Sequence, residues 1–245
     1  MITQSSRKQS EIFHGQKIVA RAEAVWGWDS PAGRVRAQRR AELLIELLRR
    51  NPGETVLEIG CGSGVFTRQF APHIPRLVAI DLSEVLLRRA RGHSDFSTYC
   101  VADAEMLPFA DRRFAAVVGS SVLHHLDLGT ILREIWRVLV PGGVIAFAEP
   151  NMLNPQIALQ KNIPALKERL GDSPDETAFV RWSLARQLRA LGFINVMVRP
   201  YDFLHPLVPR PLIPFVDSLG RRLERLPLVC EIAGSLIISG QKPQM

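Results

Sequence analysis

Short apolar runs and helical patterns alternate along the chain between Asn51 and Glu149, and no other feature narrows the choice of fold as far. The runs at 55–59, 77–80, 98–102, 115–119 and 143–148 are mostly rich in Val, Ile, Leu or Ala, and short enough to be strands buried on both faces of a parallel sheet. Ser83 precedes a helical stretch containing Leu86, Leu87 and Ala90, and Asp127 opens another whose apolar face is Ile131, Leu132, Ile135, Trp136 and Leu139. Both are placed as crossovers between strands, which makes the core a doubly wound α/β fold. Ahead of the sheet, Ala41, Leu43, Leu44, Leu47 and Leu48 form a stripe that stops at Asn51-Pro52-Gly53. That helix is expected against the sheet edge.

The rhythm changes after 148. Ser173-Pro174-Asp175-Glu176 has the form of a capping box and predicts a helix start. A second helix is expected over 183–191, closed by Gly192, then a sixth strand over 193–198 and a seventh over 231–240. Between these strands a segment from Pro200 to Pro227 holds five prolines by Pro214. Phe215, Val216, Leu219, Leu223 and Leu226 then recur at helical spacing, with Arg221, Arg222 and Arg225 largely off that stripe. This reads either as a cap helix packed on the domain or as a lid that meets an apolar ligand or an anionic membrane surface. Phe13, Trp26 and Trp28 are candidates to line the same entrance. The expected division is 1–50, N-terminal flanking helices over the ligand site; 51–150, the core; and 151–245, a half that completes the sheet and carries a cap insertion at about 200–230.

A chain of 245 residues, 47% apolar and 22% charged, supports one large α/β core, because two smaller domains would each lack strands to cover their helices. Its longest apolar stretch, 138–148, is interrupted by Pro141, Gly142 and Gly143, so no transmembrane segment is expected. Residues 1–10 are polar and without an export signal's apolar core, and the expected location is the cytoplasm. Cys61, Cys100 and Cys230 form no close pair, which suggests three buried thiols rather than a metal site or a disulfide framework. The net charge of +7 sits in the flanks, with ten basic against five acidic residues over 1–50, nine against eleven over 51–150, and twelve against eight over 151–245. Such flanks suit nucleic acid, anionic lipid or an acidic small molecule, as well as an ordinary solvated surface.

Val56-Leu57-Glu58-Ile59-Gly60-Cys61-Gly62-Ser63-Gly64 ends the first strand and opens a helix. Three glycines in alternate positions let the backbone turn sharply and approach a ligand with no Cβ in the way. Asp81 ends the second strand seventeen residues beyond Gly64, where a carboxylate can accept bonds from both ribose hydroxyls. Ala102-Asp103-Ala104-Glu105 puts another acid at the end of the third strand, within reach of an adenine amino group. Ligands of open parallel sheets bind at such carboxyl ends. A nicotinamide-binding G-x-G-x-x-G does not fit, since counting from Gly60 or Gly62 brings Val65 or Thr67 to the third glycine's place.

Glu58-Ile59-Gly60-Cys61-Gly62-Ser63-Gly64, Asp81, Asp103 and the Arg137-Val138-Leu139-Val140-Pro141-Gly142-Gly143 turn together resemble the class I S-adenosylmethionine-dependent methyltransferases, of the small-molecule type related to ubiquinone and menaquinone C-methylating enzymes. The resemblance covers about 50–150 and extends weakly into the final strands. It implies a seven-stranded Rossmann-like sheet ordered 3-2-1-4-5-7-6, the last strand antiparallel, with helices on both faces. It also implies S-adenosyl-L-methionine as cofactor and a small-molecule or lipid-like methyl acceptor. On the same grounds Gly60, Cys61, Gly62 and Gly64 would face the methionine part and Glu58 its amino group. Asp81 with Leu82 would hold the ribose, Asp103 with Ala104 the adenine, and Ser120 and Ser121 would lie near the methionine end.

His124 and His125 follow the fourth strand at this rim and are the candidate catalytic bases, although a loop-structuring role is the stronger reading for such a pair. Glu149 ends the fifth strand and is a candidate to orient an acceptor, or simply a loop carboxylate. His14, Tyr201 and His205 read as structural or exposed. The run Ser120-Ser121-Val122-Leu123 lacks the Asn/Asp-Pro-Pro-aromatic pattern that grips a flipped base, so nucleic acid is a minor expectation. The alternatives to an enzyme of small molecules are a non-catalytic cofactor-binding partner protein and an RNA or protein methyltransferase; peripheral membrane contact remains compatible with the basic flanks.

Overall fold

Alternation along the strands decides which helices each face of the sheet receives. In β1 (Val56–Ile59), Leu57 and Ile59 face one side while Val56 and Glu58 face the other. The computed structural model describes residues 4–48, 54–92, 97–163, 165–167 and 177–244. Around β1 are β2 (Leu77–Asp81), β3 (Ser97–Val101), β4 (Phe114–Ser120), β5 (Leu139–Pro150), β6 (Ile194–Tyr201) and β7 (Ser235–Gln241). Their order is β3-β2-β1-β4-β5-β7-β6. The first five strands are parallel and β7 runs antiparallel to β5 and β6, as the family resemblance implies.

One face is covered by α3 (Pro31–Leu48), α4 (Thr67–Phe70) and α5 (Glu84–Arg91). The α3 stripe of Ala37, Ala41, Leu44, Ile45 and Leu48 packs over Val56, Ala116, Val118, Ala146 and Ala148. It therefore crosses the middle of the sheet rather than its edge, because small alanines on the central strands give the helix room to settle there. The other face receives α6 (Leu128–Val138) and α8 (Arg181–Ala190), whose Ile131, Leu132, Ile135, Leu184 and Leu188 are almost wholly buried. Each such side chain contributes roughly 1.5–3 kcal/mol by leaving water. Asp127 caps α6 by accepting the Thr130 N–H at 2.8 Å. Ser83 occupies the cap position of α5 without a side-chain cap bond.

Several boundaries differ from the sequence expectations. The fifth strand extends over Leu139–Pro150, but Phe114 pairs with Leu139 and Ala116 with Val144, so the Pro141-Gly142-Gly143 turn bulges out of register. The seventh begins at Ser235, because Cys230–Ile232 forms a 3₁₀ turn. The capping box at 173–176 lies outside the described residues, and beyond it Phe179 bridges Asn151 before α8 begins.

Three further elements surround the carboxyl rim: α1 (Gln4–Ile18), α2 (Ala22–Val25) and α7 (Pro155–Asn162), the last capped by Asn154. The amphipathic segment forms α9 (Ile213–Leu223). Its Ile213 and Val216 pack with Ala32, Val35 and Leu204, and Gly220 is buried beside Phe203. Phe215 and Leu219 from the expected stripe are 67% and 42% exposed. The helix is thus rotated so that only Val216 and Leu223 of that stripe are partly covered, with Glu224 just beyond it tied to Arg39 at 2.6 Å.

Candidate active site

The carboxyl ends of β1 to β4 and the amino end of β7 converge on a cavity of about 440 Å³. At its floor the β1 loop and Asp81 are locked together. Asp81 Oδ2 accepts the Gly62 N–H and Oδ1 accepts the Ser83 N–H, both at 2.8 Å. Burial pushes the Asp81 carboxyl up, partly offset by these two bonds. Gly60 sits at φ +68°, and a Cβ there would come within 2.4 Å of Val122 Cγ2. At Gly64 a Cβ would press on Ala90 of α5 at 3.0 Å, so this glycine serves helix packing.

Of the residues singled out in the sequence, Gly60, Cys61, Gly62, Asp81, Leu82, Asp103, Ala104, Ser120, Ser121, His124 and His125 line the cavity. Glu58, Gly64 and Glu149 are not among the lining residues. Glu58 points from the opposite side of the strand toward α4, where burial pushes its carboxyl up to about 8, with Thr67 pulling down and Asp81 adding to the rise. Its Oε2 has no hydrogen-bond partner. Burial also pushes the Cys61 thiol up, which keeps it protonated and unreactive.

Glu149 is fully buried and works behind the cavity wall. Its Oε1 accepts the N–H groups of Val122 and Leu123 at 2.9 Å each, and Oε2 lies 2.7 Å from His124 Nδ1. Burial pushes this carboxyl up, but the His124 contact and the two N–H groups outweigh it and leave it below the ordinary range. An ionised Glu149 can only accept, so His124 Nδ1 donates and Nε2 becomes the basic nitrogen. Glu149 therefore stands behind His124 and not at the cavity surface, where one of the sequence readings had it orient an acceptor. The two histidine rings lie 4.2 Å apart, and His125 Nδ1 is 3.3 Å from Glu11 of α1.

Asp103 is already engaged: Oδ1 accepts the Glu105 N–H at 2.9 Å and Oδ2 lies 2.6 Å from Lys8 Nζ. Arg7 and Lys8 both pair with Glu105. Hence α1 is clamped across the β3 end of the cavity, a long-range pairing that no local pattern announces. Other lining residues missing from the sequence reading are Arg36, Arg40 and, from α7, Ile157, Gln160 and Lys161. Arg40 had a signal, since it falls on the apolar stripe of α3 where a hydrophobic residue is expected. No residue of the 200–230 segment lines the cavity.

A glycine-built turn locked to an acid at the next strand end defines a nucleoside-binding α/β protein, and comparison with known proteins gives its family. A family model described as a methyltransferase domain matches residues 57–147. The chain is 36% identical over 180 residues to demethylmenaquinone methyltransferase of Corynebacterium urealyticum, covering 66% of this chain and 74% of that protein. It is likewise 36% identical over 108 residues to malonyl-[acyl-carrier protein] O-methyltransferase of Pseudescherichia vulneris, covering 44% of this chain and 43% of that relative. The fold matches N-methyltransferase NodS of Bradyrhizobium japonicum, solved with S-adenosyl-L-homocysteine, at a TM-score of 0.61 and 19% identity over 95% of this chain and 98% of that one. A SAM-dependent methyltransferase of Thermotoga maritima matches at 0.63 and 19%, over 94% and 99%. The chain belongs to the class I S-adenosylmethionine-dependent methyltransferases.

The residues present fit that cofactor. Each oxygen of Asp81 uses one acceptor position on backbone N–H and keeps another for a ribose hydroxyl. Behind the loop, Glu58 Oε2 is a buried polar atom without a partner. Among the described residues no cluster of His, Cys, Asp and Glu is arranged to hold a metal ion.

Proposed function

We propose that this protein transfers a methyl group from S-adenosylmethionine to a small-molecule or lipid-like acceptor held on the β4–β7 side of the cavity. The observation that carries the reading is the Asp81–Gly62 lock at the head of a cavity that runs on to Ser235. When bound, the cofactor supplies an electrophilic methyl on a positively charged sulfur. Gly60, Cys61 and Gly62 shape its methionine end, Asp81 and Leu82 the ribose, Asp103 and Ala104 the adenine, and Ser120 the boundary with the acceptor. Because Lys8 already sits on Asp103, an adenine amino group shares that carboxylate with α1. Residues 4–48 act as the cover, with Trp26 lying against Gly62 and shielding the reacting centre from water. Holding the two partners in line supplies on the order of 7–11 kcal/mol. His124, set by Glu149, takes the acceptor's proton where one must leave.

The relative with the larger coverage acts on a demethylated menaquinone, which supports a quinol-type acceptor over a malonyl thioester. Incubation with methyl-labelled cofactor and either demethylmenaquinol or malonyl-acyl carrier protein is expected to label the quinol. Tight S-adenosylhomocysteine binding with no transfer to either would favour the non-catalytic partner instead.

We further propose that the protein works in the cytoplasm and touches an anionic membrane surface through α9 and the loop before it. No described helix is long and apolar enough to cross a membrane. Three free cysteines suit a reducing compartment. Leu207, Leu212, Phe215, Leu219, Leu226 and Leu228 are exposed, among exposed Arg210, Arg221, Arg222 and Arg225. Apolar side chains ringed by arginines match the headgroup boundary of an acidic bilayer. The preceding loop reaches the cover and α7, since Ser30 Oγ donates to Pro206 O at 2.9 Å and Gln156 bonds His205 at 2.9 Å. Flotation with phosphatidylglycerol vesicles is expected to carry the protein up at low salt, and Phe215→Asp with Leu219→Asp to leave it behind. Equal flotation of the double variant would rule this face out.

A further inference from the structure

Three arginines project from one turn of α3, and the deepest of them is the one that meets no carboxylate among the described residues. Arg36 binds Asp202 at 2.8 Å, and Arg39 binds Glu224 at 2.8 and 2.6 Å. Arg40 is only 3% exposed. Among the described residues its side-chain hydrogen bonds go to neutral hydroxyls: Ser120 at 3.1 Å, Ser121 at 2.8 Å and Ser235 at 2.7 Å. Its Nε finds no partner, and its guanidinium lies 5.0 Å from the Trp28 ring centroid. All five of these side chains line the cavity.

A buried cation is retained against its desolvation cost when something supplies the opposite charge. Dipoles of three hydroxyls do not supply it. They do something else: a serine that accepts from Arg40 keeps its own proton to give, so the cluster presents a guanidinium with donors around it. Ser121 is held at φ +55°, an uncommon conformation for a residue with a side chain, which places backbone strain in the same cluster. We propose that Arg40, with Ser120, Ser121 and Ser235, forms a binding site for an anionic oxygen of the acceptor: a phenolate, enolate or carboxylate. This rests on the methyltransferase reading above and narrows its acceptor class.

The order of the sheet sets this anion apart from the nucleoside. The ribose acid lies on β2 and the glycine loop follows β1, whereas Arg40 spans from the end of β4 to the start of β7, across β5. It thus stands on the side of the loop away from the nucleoside. Trp28 adds a flat apolar wall beside the charge, which suits a conjugated oxyanion on a planar body.

The test uses the whole protein saturated with S-adenosylhomocysteine, titrated with 2-hydroxy-1,4-naphthoquinone, an anion at neutral pH, and with its uncharged 2-methoxy ether. The anion is expected to bind at least about tenfold more tightly than the ether. Arg40→Gln should erase that preference and Arg40→Lys restore part of it, with the affinity for S-adenosylhomocysteine within about threefold of the parent in both. The proposal is overturned if the parent shows no preference for the anion, including no binding of it, or if Arg40→Gln keeps the preference. A tenfold or greater loss of S-adenosylhomocysteine affinity in Arg40→Gln also overturns it, because the charge then belongs to the cofactor's carboxylate. The parent comparison needs no variant to fold. Failure of the parent to bind S-adenosylhomocysteine is a separate result and removes the methyltransferase reading itself.

Discussion

Replacing Asp81 with Ala weakens the binding of S-adenosylhomocysteine about a hundredfold in a calorimetric titration. Two charge-assisted bonds to ribose hydroxyls, each contributing on the order of 1.5–3 kcal/mol, disappear with the carboxylate. The loss spreads further than the ribose, because the Gly62 and Ser83 N–H groups lose their acceptor at the same time. The β1 loop then has no fixed conformation to offer, and part of the binding energy goes to ordering it. Asp81→Asn keeps one acceptor oxygen but turns a donor toward one of the two N–H groups, and is expected to fall between the parent and the alanine variant. Near-parent affinity in Asp81→Ala would mean that the nucleoside lies elsewhere.

The second large effect concerns stability. Glu149→Ala is expected to lower the unfolding free energy by about 3–5 kcal/mol, since three donors in the interior lose one carboxylate. In a chain of this size that corresponds to a fall in Tm of roughly 10 °C, read by differential scanning calorimetry. The pH dependence follows from the lowered pKa of Glu149. The folded state holds its proton less tightly than the unfolded chain does, so the stabilisation is complete above the unfolded value of about 4.3 and is lost as the pH falls through the folded value. Glu149→Gln should therefore be less stable than the parent at neutral pH and show a flatter acid limb in denaturant titrations. A Tm within about 1 °C of the parent for Glu149→Ala would show that the turn after β4 does not depend on it.

What the sequence made legible was the part governed by local rules. Five parallel strands, the glycine turn, Asp81 and Asp103 at strand ends, and the Asp127 cap all follow from periodicity and turn chemistry within some ten residues of chain. The order of the strands needed the family resemblance, because spacing alone does not say which strand sits beside which. The misreadings arose where a distant partner overrode a local pattern. The stripe through Phe215 and Leu219 is apolar and helical, yet Ile213 and Gly220 face inward, with Ile213 against Ala32 and Glu224 paired with Arg39, both far away in sequence. Glu149 lay at the correct rim but on the hidden side of His124, which a strand end does not specify. Lys8 reached Asp103 across 95 positions. Arg40 was legible in principle, as a charge set in the run Ala37, Ala41, Leu44, Ile45 and Leu48.

The reversed direction of β7 has a consequence for the cavity. Since this strand enters the sheet at the rim, the chain preceding it, 202–234, delivers Gly234 and Ser235 directly to the cavity. Reshaping that connection would act on the cavity through Gly234 and Ser235, on the far side of the sheet from the nucleoside strands. The acceptor end of the cavity is thus reached by chain outside the 57–147 portion that the methyltransferase-domain model matches.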